Sequence, residues 1–265
     1  MALLGHYRFK LVFGDNSNYA LLGRGALHGL STIQFVPSAD VSNACLLEIG
    51  DFAEIGGSVK IVVGADHPNS NPINVAFGSM PVLRGLSQMG AEKLPLLAST
   101  RPIKIGANVT LSENVTVLSG AEIGDGAVIG ASALVRGKIE PWSISAGVPA
   151  RHLRHRFDMQ TRELMADIRW WDLTISAFLA RWPAINACSI TRESIGREEY
   201  YATTARIVIR RSSAAATSKE VQIIGVEDGG RFTPLDQCPE AIRNYIALCG
   251  SPETTFTVIE DIFAA

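Results

Sequence analysis

A six-residue period in the middle of the chain restricts its fold more than any other feature, because a short repeat dictates the whole architecture. In register, residues 105–140 read IGANVT, LSENVT, VLSGAE, IGDGAV, IGASAL and VRGKIE, with Ile105, Leu111, Val117, Ile123, Ile129 and Val135 in first position. The fifth positions are Val109, Val115, Ala121, Ala127, Ala133 and Ile139. An earlier block, IGDFAE, IGGSVK and IVVGAD, keeps the same phase behind Ile49, Ile55 and Ile61. A helix would space its apolar residues by three and four, and a sandwich strand would alternate by two. One large aliphatic and one small residue four apart, restarting after two, instead suit three short strands per turn around a narrow triangular core. Nine hexads make three such coils of eighteen residues, and stacked coils bury one continuous interior. The second-position glycines Gly50, Gly56, Gly106, Gly124 and Gly130 are expected at corners that need positive φ.

The period breaks at one residue. Counting sixes from Ile49, Ile55 and Ile61 arrives at His67 where an aliphatic is due, and the register resumes only at Ile105. An imidazole is costly to bury without a partner, so His67 is expected to face a cleft at the mouth of the insertion 68–102. A structureless segment of that length inside a compact domain is usually functional or disordered. Imidazole, with a reference pKa of about 6.5, is largely neutral and basic near pH 7, which suits a general base. No GxSxG elbow is present, and Cys45, Cys188, Cys238 and Cys249 lack any paired ligand spacing, so neither a covalent nucleophile nor a metal is expected. With 24 Lys and Arg against 26 Asp and Glu, no global field would gather nucleic acid. The opening MALLGHYRFKLVFGDN has its apolar runs broken by His6, Arg8 and Lys10, unlike a signal peptide or membrane span, so a cytoplasmic protein is expected.

Three motifs accompany the hexads: Ala-Asp-His ahead of the insertion, Ala-Gly-Val-Pro-Ala after the last coil, and the Trp-Trp of DIRWWDL. With these, residues 44 to 182 resemble the hexapeptide-repeat acyltransferases, specifically the xenobiotic and polysaccharide O-acetyltransferase branch. The resemblance implies a left-handed β-helix, a homotrimer, and an acetyl-CoA groove between neighbouring subunits, with His67 as base. It implies donor contacts from Gly130, Ala131, Arg136, Gly147 and Pro149, and acceptor contacts from Tyr19, Asn69 and Asn74. Arg151, Arg154 and Arg156 of RHLRHR carry charge suited to coenzyme A phosphates, although an exposed basic face at a helix start would have the same composition. Two departures stand out: Ser70, Ile73 and Asn74 where relatives carry an Asp and hydroxyls, and Thr110 where relatives often place a Trp.

Residues 156–182 read as one helix with an apolar stripe of Phe157, Leu164, Met165 and Ile168. After Pro183 the hexads do not return; ARIVIRR, EVQIIGVED and FTVIEDIF read as strands and PEAIRNYIALCG as a helix. The expected organisation is a β-helix domain over 1–185, its end capped by the first forty residues, and a small α/β appendage over 186–265. The expected function is acetyl-CoA-dependent O-acetylation of a sugar, polysaccharide or glycoconjugate precursor. Alternatives are acetylation of a chloramphenicol or streptogramin hydroxyl, and a non-catalytic β-helix scaffold.

Overall fold

The computed structural model describes residues 8–13, 18–26, 32–36, 41–64, 66–67, 72, 100–200, 206–211, 221–240, 243–244 and 257–259. Before the insertion lie β1 (Arg8–Phe13), β2 (Asn18–Leu22), β3 (Thr32–Val36), β4 (Cys45–Ile49), β5 (Glu54–Ile55) and β6 (Lys60–Gly64). After it come β7 (Ile103–Ile105), β8 (Thr110–Leu111), β9 (Thr116–Val117), β10 (Glu122–Ile123), β11 (Val128–Ile129) and β12 (Leu134–Val135). Then follow β13 (Lys138–Ile139), β14 (Ser143–Ala146) and β15 (Arg151–His155). Two helices, α1 (Met159–Ile168) and α2 (Ile175–Asn186), lead to β16 (Arg206–Arg211), β17 (Val221–Asp228), β18 (Arg231–Pro234) and β19 (Thr257–Ile259).

The hexads form a three-sided parallel β-helix. Face one stacks β4, β7, β10 and β13, face two stacks β5, β8, β11 and β14, and face three stacks β6, β9 and β12. Equivalent positions of successive coils pair in register: Ile105 with Ile123, Leu111 with Ile129, and Val117 with Val135. Across the insertion the phase survives, since Ile49 pairs with Ile105 and Ile61 with Val117. First and fifth positions alike are buried in one cluster, as the period requires.

Glycine's part at the corners differs from the expectation. Positive φ, between 53° and 81°, falls on the fourth position of the hexad at Phe52, Ser58, Gly64, Asn108, Asn114, Gly120, Gly126 and Ser132. The second-position glycines serve close approach instead. A Cβ on Gly50 would stand 2.4 Å from the Ala107 nitrogen, and one on Gly124 2.6 Å from the Pro141 ring, so stacked coils leave no room for a side chain there. The left-handed corners tolerate Asn better than branched residues. Asn114→Val is therefore expected to lower unfolding free energy by about 1–2 kcal/mol, with Asn114→Gly within about 0.5 kcal/mol of the parent; urea titration of both checks this.

The first strands extend two faces: β2 runs parallel to β4 and β3 parallel to β6. Beyond β2, β1 turns back antiparallel, and β16 then adds to β1 in parallel, followed by β17 and β18. Face one thus continues into a nine-stranded sheet. Of the strands expected at 205–211, 220–228 and 256–263, residues 206–211, 221–228 and 257–259 are described as strand, but sheet hydrogen bonding runs on across the expected boundary near 185. Ile207, Val226 and Cys238 join the same apolar cluster as the hexads. Of the helix expected from Pro239, most lies outside the described residues.

The single helix expected over 156–182 is instead broken. Asp158 caps α1 by accepting from the Thr161 N–H, and Arg169 ends it in the left-handed region at φ 46°. A 3₁₀ turn, Trp170–Asp172, separates it from α2, which Thr174 caps. The break turns both tryptophans onto the β-helix. Trp171, buried, packs at 6.1 Å on Trp142 of the last coil, while Trp170 packs at 5.3 Å on Phe52 of the first. The pair braces the edge between faces one and two along its length. Among the described residues no helix is long and apolar enough to cross a membrane.

Candidate active site

His67 lies on the edge where the chain leaves face three for face one, between β6 and β7. It is exposed, whereas the aliphatics that start neighbouring hexads are buried. The two ends of the insertion are clasped there: Asp66 faces Arg101 at 3.6 Å. Arg101 is in turn fixed to the next coil, its carbonyl accepting from the Ser119 hydroxyl at 2.9 Å and its N–H donating to the same oxygen at 3.3 Å. The coil edge beside His67 is thereby held although the chain departs from it.

The expected donor residues divide between two edges. Gly130 and Ala131 turn from face two to face three, and the next coil lays Gly147 and Pro149 on the same edge. There the Leu134 N–H donates to the Gly147 carbonyl at 3.0 Å and the Ala150 N–H to the Leu134 carbonyl at 2.8 Å. Arg136 instead occupies the edge between faces three and one, directly after β12. Arg151 and Arg154 are exposed on β15, which is a strand antiparallel to β14 and not the start of a helix. Arg156 is committed elsewhere. Its guanidinium donates to the Gly126 carbonyl at 2.7 Å and lies over the Trp142 and Phe157 rings. Burial lowers its pKa.

Tyr19 is the second residue of β2, opposite Cys45, at the side of face one where its strands start, and its ring lies 4.2 Å from the Lys10 ammonium. Asn69 and Asn74 lie outside the described residues. Thr110 starts β8 on face two between Glu54 and Val128.

A cavity of about 430 Å³ opens away from His67, on the outer side of face one. Its walls include Arg8, Asp51, Lys104, Asp125, Trp171 and Asp172. At its base Asp51 is almost wholly buried between two arginines. Arg24 donates to it from its backbone N–H at 2.8 Å and its guanidinium at 2.6 and 3.0 Å, and Arg8 donates at 2.9 Å. Arg24 also donates to the Trp171 carbonyl, tying the 3₁₀ turn to the coil. Burial pushes the Asp51 carboxyl up, but the hydrogen bonds and charges of Arg8 and Arg24 outweigh it and hold the pKa below its usual value. Sequence reading missed Asp51, because its partners lie 27 and 43 residues away.

Within this β-helix, residues 102–137 match the bacterial transferase hexapeptide family (six repeats). Over 146 residues the chain is 29% identical to a chloramphenicol acetyltransferase of Agrobacterium fabrum (strain C58), spanning 54% of this chain and 68% of that protein. Among solved structures it is similar to a hexapeptide-repeat acetyltransferase of Vibrio cholerae O1 biovar eltor complexed with acetyl coenzyme A, at 24% identity and a TM-score of 0.32. That match covers 44% of this chain and 53% of the other. A galactoside acetyltransferase in complex with coenzyme A is 25% identical with a TM-score of 0.34, over 56% of this chain and 60% of that one. The relatives are acetyltransferases, and the chain spans little more than half the length of these two structures.

Proposed function

We propose that this chain is an acetyl-CoA-dependent O-acetyltransferase on a left-handed β-helix, with His67 as general base and a sugar, polysaccharide or glycoconjugate hydroxyl as acceptor. The observation that carries the reading is His67 itself: an exposed imidazole at a register position where the hexad count calls for a buried aliphatic. His67 removes the hydroxyl proton as that oxygen attacks the thioester carbonyl, and returns it to the departing thiolate. The chain assembles as a homotrimer whose edges face one another, so that donor contacts on one edge complement His67 on a neighbour's. Such an arrangement accommodates donor residues that one chain keeps on separate edges. Residues 186–265 serve acceptor docking at the end of the sheet opposite β13.

Arg151 and Arg154 bind the donor phosphates. Replacing both with Ala is expected to raise KM for acetyl-CoA by about tenfold, or ~1.4 kcal/mol, with little change in acceptor KM; steady-state kinetics with each substrate varied checks this. Radiolabelled acetyl-CoA offered with sugars, glycoconjugate precursors and chloramphenicol tests the function. Label on a glycan supports the reading. Label on chloramphenicol alone supports the second one, which the Agrobacterium relative favours, and transfer to neither, in the intact trimer, would leave a scaffold.

A further inference from the structure

We infer a divalent transition-metal site, of the kind zinc occupies, formed by Glu140, His152 and His155 at the end of the β-helix. In a regular strand residues three apart point to opposite faces, so His152 and His155 would be separated by the sheet. The pairing of β14 with β15 prevents this. Ser143 faces His155 and Ile144 faces Arg154, but Ser145 faces His152, which leaves Leu153 as an extra residue in a bulge. A bulge resets the alternation. Both histidines therefore share the side to which Ser143 and Ser145 point, and those serines are fully buried. By register Ser145 continues the inward column of Leu111 and Ile129, so the imidazoles stand over the open end of the core.

The rings lie 4.7 Å apart between centroids. Glu140, at the turn out of β13, brings its carboxylate to 3.2 Å from the His155 Nε2. One donor atom from each of the three lies within 4.8 Å of the others. Zinc bonds of about 2.0–2.1 Å in a tetrahedron set donor separations of about 3.4 Å. The Glu140–His155 pair already meets that, and exposed His152 closes the remainder by side-chain rotation. Two imidazoles and a carboxylate form the donor set that zinc and its neighbours in the first transition row accept, with a coordination position open to water. The Glu140 backbone is itself fixed, its carbonyl accepting from the Ser143 hydroxyl at 2.7 Å. A bound ion would clip the strand carrying Arg151 and Arg154 to the end of face one. Catalytic chemistry is not assigned to it, since none of the three belongs to the edge of His67.

The test is titration of the tag-free full chain with Zn²⁺ by calorimetry, and with Co²⁺ by visible absorption. One ion per chain with micromolar or tighter affinity is expected, together with a rise in Tm. His152→Gln and His155→Gln should each weaken binding at least tenfold and abolish the rise, whereas His67→Ala should bind as the parent does. Circular dichroism of each variant separates lost ligation from lost fold, and exposed His152 gives a variant with little packing to lose. Absence of saturable one-to-one binding, or binding that survives the His152→Gln/His155→Gln pair, overturns the site. Either result leaves the assignment of His67 as the base untouched.

Discussion

Replacing His67 with alanine is expected to lower turnover by about a hundredfold or more, the usual contribution of a positioned general base, equivalent to ~2.7 kcal/mol of transition-state stabilisation. The fold should be indifferent to the change. His67 is exposed at a coil edge, so truncation opens no cavity, and the neighbouring edge keeps the Asp66–Arg101 contact and the Arg101–Ser119 hydrogen bonds. Sedimentation and thermal unfolding of the variant should match the parent, and the acetyl-CoA KM should change little, because the base acts on the acceptor proton. Turnover that survives intact would remove His67 from the mechanism, and a loss of assembly along with activity would make it a structural residue.

Asp51→Ala is expected to lower unfolding free energy by about 3–5 kcal/mol, the cost of leaving a buried charge uncompensated. Asp51 is 2% exposed and Arg24 3%, so water replaces little of the lost partner. Arg24→Met with Asp51→Leu removes both charges, and should recover most of the loss, since well-packed apolar residues often substitute for a buried pair without cost. Arg8, which lies 3.5 Å from Asp172 in the parent, keeps that carboxylate as a partner. The linkage to pH has a definite sign. With its folded pKa held down by Arg8 and Arg24, Asp51 contributes its full stabilisation above the unfolded value of about 3.9 and loses it as pH falls through the folded value. Acid unfolding of the parent should thus be steeper below about pH 4 than that of the double variant. Coincident acid limbs would show that the carboxyl carries no such linkage. The same substitution should loosen the 3₁₀ turn, since Arg24 holds the Trp171 carbonyl only while Asp51 orients it.

The interior was legible because it is written locally. Each hexad carries its own inward residue, and a register that restarts every six residues places Ile49, Ile105 and Ile123 in one column without knowledge of anything distant. The position of His67 followed from the same count. Corners were half legible. Sequence marks where a chain must turn, but second-position glycine answers to the coil stacked above it, so its reason is steric contact at 2.4 Å from Ala107 and not local φ. The helix over 156–182 was misjudged for a similar cause. Its apolar spacing fits a helix throughout, yet burying Trp171 on Trp142 and Trp170 on Phe52 favours the break at Arg169.

By itself the sequence determined the coil period, the inward residues, the exposed imidazole at the break and the strands described at 206–211, 221–228 and 257–259. Tertiary structure alone decided which elements meet: β16 on β1, two arginines on Asp51, and Glu140 beside His152 and His155. The physical reason is range. A periodic core is fixed by contacts one coil apart, whose pattern repeats in the chain. Pairings between remote segments depend on twist, on a bulge of one residue, and on which side chains find each other once the coils have stacked.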